Sequence, residues 1–168
     1  RKFVRFLFST NVALVLLVVA GAVLAYFGEL REVSGSILLP LTAIQLLWIN
    51  FIGDGPTALA LSLDGNTGVM KRRPRSVSSP LLDRKAIAFI AASGVVKAAA
   101  GVLLLLGLPL YGYSTDTART AVFLFEATAQ VVFVYAARRL EGPVPRNLVL
   151  NVIVVASIVV QFLIVLVP

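Results

Sequence analysis

The sequence predicts an all-α, polytopic membrane protein of about five transmembrane helices, one of them broken between Gly53 and Pro56. Three observations carry that prediction. Of 168 residues, 59% are hydrophobic and 14% charged, with a mean hydropathy of +0.96, whereas a soluble domain is about half apolar and about a quarter charged. Several nearly uncharged stretches reach the roughly 20 helical residues that a hydrocarbon core about 30 Å thick requires. The 15 Lys and Arg outweigh 8 Asp and Glu, and they gather in alternate connections between the apolar stretches.

The first stretch, residues 6–27, carries no charge. Arg1, Lys2 and Arg5 precede it as in a secretory signal, but the run is too long and no small-residue cleavage site closes it, so it reads as a membrane span. Residues 37–63 carry only Asp54, residues 86–113 only Lys97, residues 120–137 only Glu126, and residues 148–167 no charge. Gly28, Ser34-Gly35, Asp64-Gly65, Pro74, Gly112 and Gly142-Pro143 break the chain between them. No repeat and no soluble domain is evident, so residues 1–168 are read as a single transmembrane domain.

Orientation follows from the positive-inside tendency of Lys and Arg. Arg1, Lys2 and Arg5, then Lys71, Arg72, Arg73, Arg75, Arg84 and Lys85, then Arg138, Arg139 and Arg146 fall on one side. The other connections hold Arg31 and Arg119 beside Glu29, Glu32 and Asp116. Five spans with a cytoplasmic N-terminus and a C-terminus on the opposite side satisfy every connection. The lipid bilayer then accounts for the net charge of +7 without nucleic acid. Cysteine and histidine are absent, which excludes a disulfide framework, a Cys/His zinc site, a catalytic triad and a histidine proton relay.

A charge at the centre of a membrane helix costs about 2.5 to 3.5 kcal/mol on insertion scales, so Asp54, Glu126 and Lys97 are functional candidates. Asp54 is the sharpest. Asn50, four residues earlier, is expected on the same helix face, and an amide oxygen beside a carboxylate suits a hard cation. Gly53 and Gly55 are weak helix formers and Pro56 lacks an N–H, so the helix should loosen there. Open backbone at membrane depth is tolerated where protein covers it or a cavity receives it, and freed carbonyls there commonly coordinate ions. A plain proline kink is the alternative.

Glu126, with Gln130 one turn on, lies roughly 10 Å inside its helix counted from Arg119 at about 1.5 Å per residue. It is read as a cation ligand or as a neutral acid hydrogen-bonded between helices. Asn11, after Ser9 and Thr10, offers another oxygen or an ordinary interhelical hydrogen bond. Lys97 falls near the midplane, with Asp54 or Glu126 as its partner, or else turned to a watery crevice or a headgroup. The spacing does not choose between them. Gly94, Ala98 and Gly101 flank it with a surface that admits a close neighbouring helix.

The run from Leu46 through Trp48, Asn50, Gly53 and Asp54 to Pro56, followed by the basic turn at residues 70–76, resembles the sixth transmembrane helix of P-type cation ATPases of the calcium-pump class. Arg5 to Val12, with Ser9, Thr10 and Asn11, is similar to the fifth helix of those pumps, and the five spans correspond in order to helices five to nine. The resemblance implies that Asn50 and Asp54 ligate the transported cation, that Asn11 joins a further site and that Glu126 contributes from the eighth helix. Two-site calcium pumps carry a glutamate where this chain has Leu14 and a threonine where it has Gly53. Those departures favour one ion per cycle, Ca²⁺ or a related divalent ion such as Mn²⁺ or Mg²⁺. Lys97 stands where the family usually has a small residue, and the resemblance implies for it the role of a counter-charge in the space left by the missing glutamate.

The chain contains no Asp-Lys-Thr-Gly, Thr-Gly-Glu or Pro-Glu-Gly-Leu motif. ATP hydrolysis, with its Mg-ATP, is therefore expected in the remaining helices and cytoplasmic domains of a larger parent pump, of which this chain would be a C-terminal membrane portion. An independent small membrane protein, a cation channel or an assembly subunit, is the rival reading.

Overall fold

The computed structural model describes residues 2–32, 35–63, 82–139 and 146–166. The basic turn at residues 70–76, the breakers Asp64-Gly65, Pro74 and Gly142-Pro143, and Arg1 and Ser34 lie outside the described residues. The elements in order are α1 (Lys2–Phe27), α2 (Ala43–Trp48), a π-helical segment (Ile49–Asp54), α3 (Gly55–Ser62), α4 (Arg84–Leu110), α5 (Thr115–Arg139) and α6 (Leu148–Leu166). Among the described residues there is no named strand, only an isolated antiparallel bridge between Arg31 and Ile37.

Four of these helices, α1, α4, α5 and α6, are long and apolar enough to cross a membrane. The remaining expected span, residues 37–63, corresponds to a composite helix. α2, the π segment and α3 run without interruption from Ala43 to Ser62, about 30 Å at about 1.5 Å per residue. The span expected from residue 37 thus begins later as a helix, because Thr42 caps it. The Thr42 hydroxyl accepts from Gln45 N at 3.2 Å and Gln45 Oε1 accepts from Thr42 N at 2.9 Å, a reciprocal capping box. Leu38 and Leu41, ahead of the cap, are nevertheless buried, so the apolar start of that stretch serves the core as connecting chain.

The fourth stretch departs in the other direction: α5 extends beyond residues 120–137 at both ends. Ser114 Oγ accepts from Thr117 N at 3.1 Å and so starts the helix early. α4 begins two residues early, with the Asp83 carboxylate accepting from Ala86 N at 2.8 Å. At the start of α6, Asn147 Oδ1 accepts from Leu150 N at 2.9 Å while its Nδ2 donates to Ala60 O at 3.1 Å, tying α6 to the end of α3.

Small residues set the helix spacing. A Cβ on Gly94 would stand 3.0 Å from Val12 Cγ1, and one on Gly101 would stand 2.8 Å from Leu17 Cδ1, so side chains of α1 pack directly onto the backbone of α4 at these two glycines. The core divides into two apolar clusters. One gathers Leu14, Leu17, Ile49, Ala98, Leu105 and Ala127; the other gathers Phe6, Ala60, Leu61, Val131, Val134 and Leu150. Buried polar residues accompany these clusters: Ser9 and Thr10 on α1, Asp54 and Thr57 on the broken helix, Lys97 on α4, Glu126 and Gln130 on α5, and Ser157 and Gln161 on α6. Val15, Val19, Leu103, Val152 and Val155 point outward, as lipid-facing side chains do.

Candidate intramembrane cation site

The broken span supplies the central acid. Pro56 sits in the first turn of α3, where its missing N–H and fixed φ are tolerated. The turn before it cannot close regular α bonds and widens into the π segment. The expected loosening is therefore a wide helical turn rather than an unwound strand. Its carbonyls are partly claimed: Thr57 Oγ1 donates to Gly53 O at 2.6 Å, and Gln130 Nε2 donates to Ile49 O at 3.5 Å. A Cβ on Gly53 would lie 3.4 Å from Gln130 Nε2, so the glutamine packs against the backbone of that turn.

Asp54 is 6% exposed. Its Oδ1 lies 3.3 Å from Thr10 Oγ1 on α1, and Gln130 and the Lys97 ammonium are its other polar neighbours. Lys97 Nζ stands 3.3 Å from Glu126 Oε2, with Glu126 fully buried. The partner that spacing could not choose is thus Glu126, and the crevice and headgroup readings of Lys97 are set aside by its burial.

Asn11 and Asn50 occupy a different place. Both are exposed; Asn11 Nδ2 donates to Leu7 O and Asn50 Nδ2 to Leu46 O, each at 2.9 Å, which leaves the amide oxygens as acceptors. The two side chains line one groove of about 270 Å³ between α1 and the broken span, with Leu14, Val18 and Leu46. Asn50 and Asp54 therefore do not share a face as expected. The Asp54 carboxylate turns inward to Thr10, while Asn50 stays exposed along the groove.

The sequence-predicted residues thus form two neighbouring groups: Asp54, Lys97 and Glu126 inside, and Asn11 and Asn50 along the groove. Among the described residues no group of three or more His, Cys, Asp or Glu could hold a metal ion. A cation here would draw on one or two carboxylates and otherwise on neutral oxygens. Thr10 was missed as the partner of Asp54; its only signal was its place beside Asn11. Ser157 and Gln161 on α6, four apart and both buried, were also missed, although two polar residues one turn apart in an uncharged span are visible in the sequence.

Residues 38–168 match the family described as "Cation transporting ATPase, C-terminus". The chain is 29% identical over 171 residues to the "Calcium-transporting ATPase" of Bacillus subtilis (strain 168), covering 99% of this chain and 18% of that protein. It is 31% identical over 126 residues to the "Calcium-transporting ATPase type 2C member 2" of Mus musculus, covering 74% of this chain and 12% of that protein. It is 33% identical over 147 residues to the "Calcium-transporting ATPase 7, plasma membrane-type" of Oryza sativa subsp. japonica, covering 84% of this chain and 13% of that protein. The chain spans under a fifth of the length of these relatives. With its multi-pass apolar helices and the match over residues 38–168, this chain belongs to the cation-transporting P-type ATPase family, as C-terminal membrane region.

Proposed function

We propose that this chain is the single transmembrane domain portion of an ATP-driven pump for a divalent cation, Ca²⁺ in the first place, and that Asp54 is the carboxylate that binds the ion. The observation that carries the reading is the burial of Asp54 at a helix break, where Thr10 approaches its carboxylate. The names of the relatives, all calcium-transporting ATPases, support Ca²⁺ over Mn²⁺ and Mg²⁺.

Ca²⁺ takes six to eight oxygen ligands in flexible geometry. Asp54 supplies formal charge, Thr10 a hydroxyl oxygen, and Asn11 and Asn50 amide oxygens from the adjoining groove. Glu126 completes the set of candidates. The groove is the route by which the ion reaches Asp54, and the wide turn lets the carboxylate move toward it. The phosphorylation and Mg-ATP chemistry is assigned to other helices and cytoplasmic domains of the longer protein. The chain enters the bilayer from a cytoplasmic N-terminus and ends on the opposite side, as its basic residues direct.

The test is ATP-dependent uptake by sealed vesicles carrying the full-length protein, with Ca²⁺, Mn²⁺ and Mg²⁺ offered separately and in competition. ATP-dependent uptake of Ca²⁺ in preference to Mn²⁺ and Mg²⁺ is the expected result. Uptake of none of the three, or ion flux independent of ATP, would overturn the reading.

A further inference from the structure

Gln130 is fully buried on α5, and the two ends of its amide are treated differently. Nε2 lies 3.5 Å from Ile49 O, at the start of the π segment, and the side chain is also a polar neighbour of Asp54, at the segment's end. Oε1 has no hydrogen-bond partner among the described residues. A primary amide carries two N–H donors and an acceptor oxygen, and a glutamine that serves only to join helices pairs both, because a buried acceptor left unpaired is costly. Here the oxygen is forgone and the nitrogen is set against the wide turn. The Ile49 contact is long for a hydrogen bond, so the nitrogen is divided between the two ends of the segment.

We propose that Gln130 is a positioning residue for the cation site: its amide nitrogen braces the π segment from Ile49 O to Asp54 and so fixes where the carboxylate waits for the ion. This rests on the reading of Asp54 as the ligand of the transported ion. The broken span cannot supply that brace itself. Pro56 prevents regular α bonding in the turn before it, π turns are uncommon and short-lived along a helix, and Gly53 and Gly55 are weak helix formers that add little stiffness. α5 is helical without interruption from Thr115 to Arg139, which makes it a firm reference for a donor reaching across. The wide turn leaves the carboxylate movable, and Gln130 sets the position from which it moves.

The test uses Gln130→Met in the full-length protein, which keeps the unbranched shape and removes the donor. Two readouts are taken. Hydrogen–deuterium exchange without Ca²⁺ is faster than in the parent across residues 49–55 and unchanged along the rest of α5, since the brace no longer limits local opening. Ca²⁺ titration of ATP-driven phosphorylation shows apparent affinity lowered by about 5- to 10-fold, the scale of one hydrogen bond, with the level at saturating Ca²⁺ close to the parent's. Should Gln130→Met fail to fold, Gln130→Asn, polar but one methylene shorter, takes its place with the same expectations. Unchanged exchange across residues 49–55, or faster exchange there with parent-like Ca²⁺ affinity, overturns the proposal. Asp54→Asn in the titration is read separately: parent-like Ca²⁺ dependence there sinks the Asp54 assignment, whereas the exchange readout judges the Gln130 brace by itself.

Discussion

Thr10 Oγ1 lies 3.3 Å from Asp54 Oδ1, and the same hydroxyl lies 3.2 Å from Phe6 O and 3.1 Å from Leu7 O. One proton thus has three acceptors within reach. It can serve Asp54, or turn back to its own helix and leave lone pairs facing a cation held by the carboxylate. Thr10→Val removes the hydroxyl at nearly constant volume. It is expected to weaken apparent Ca²⁺ affinity by about 5- to 10-fold, the equivalent of about 1 to 1.5 kcal/mol for one hydrogen bond. Thr10→Ser should restore most of it, as Ca²⁺ titration of ATP-driven phosphorylation in the full-length protein will read.

Asp54→Asn keeps the shape and the acceptor oxygen toward Thr10 but removes the formal charge. A hard cation leaving water needs that charge. Expression and thermal stability are expected to stay close to the parent's, while Ca²⁺-dependent phosphorylation from ATP is lost. Parent-like Ca²⁺ dependence in this variant would take Asp54 out of the site.

Glu126→Gln leaves Lys97 without its partner, and Asp54 is the other carboxylate that the ammonium acts on. Unit charges about 4 Å apart interact by about 4 kcal/mol at an effective dielectric constant of about 20. Lysine redirected to Asp54 therefore competes with the ion, and apparent Ca²⁺ affinity is expected to fall by about 10-fold or more, still short of the loss in Asp54→Asn. Adding Lys97→Met should recover it. Failure of that rescue, with equal losses from Glu126→Gln and Asp54→Asn, would show Glu126 to be a ligand of the transported ion.

Gly21→Ala would drive a Cβ into the buried Pro40 ring. A proline ring cannot rotate away, so the cost is that of overpacking, about 1 to 3 kcal/mol. Gly107 on α4 has nothing within 4 Å of an added Cβ, and alanine is the better helix former there. Thermal unfolding in detergent should place Gly21→Ala several degrees below the parent and Gly107→Ala at or above it. Equal midpoints for the two would show that the connection through Pro40 does not pack against α1 as described.

The helical class and four helices long and apolar enough to cross a membrane were legible from the chain because they depend on local chemistry. Apolar length decides what crosses a bilayer, and a proline without an N–H between weak helix formers disturbs its own turn wherever it sits. Gln130 could likewise be placed on the face of Glu126 by period alone. Which residue meets which across helices was not legible. The Lys97–Glu126 pair, the Thr10–Asp54 contact and the parting of Asn50 from Asp54 each depend on how far one helix is rotated and shifted against another. Those offsets come from packing: Gly94 against Val12, Gly101 against Leu17 and Gly21 against Pro40. The parting of Asn50 from Asp54 falls within the π segment, whose wider turns differ from the regular helical period that the residue spacing assumes. Helical periodicity relates a side chain to its own axis, and only the packed bundle relates that axis to the next.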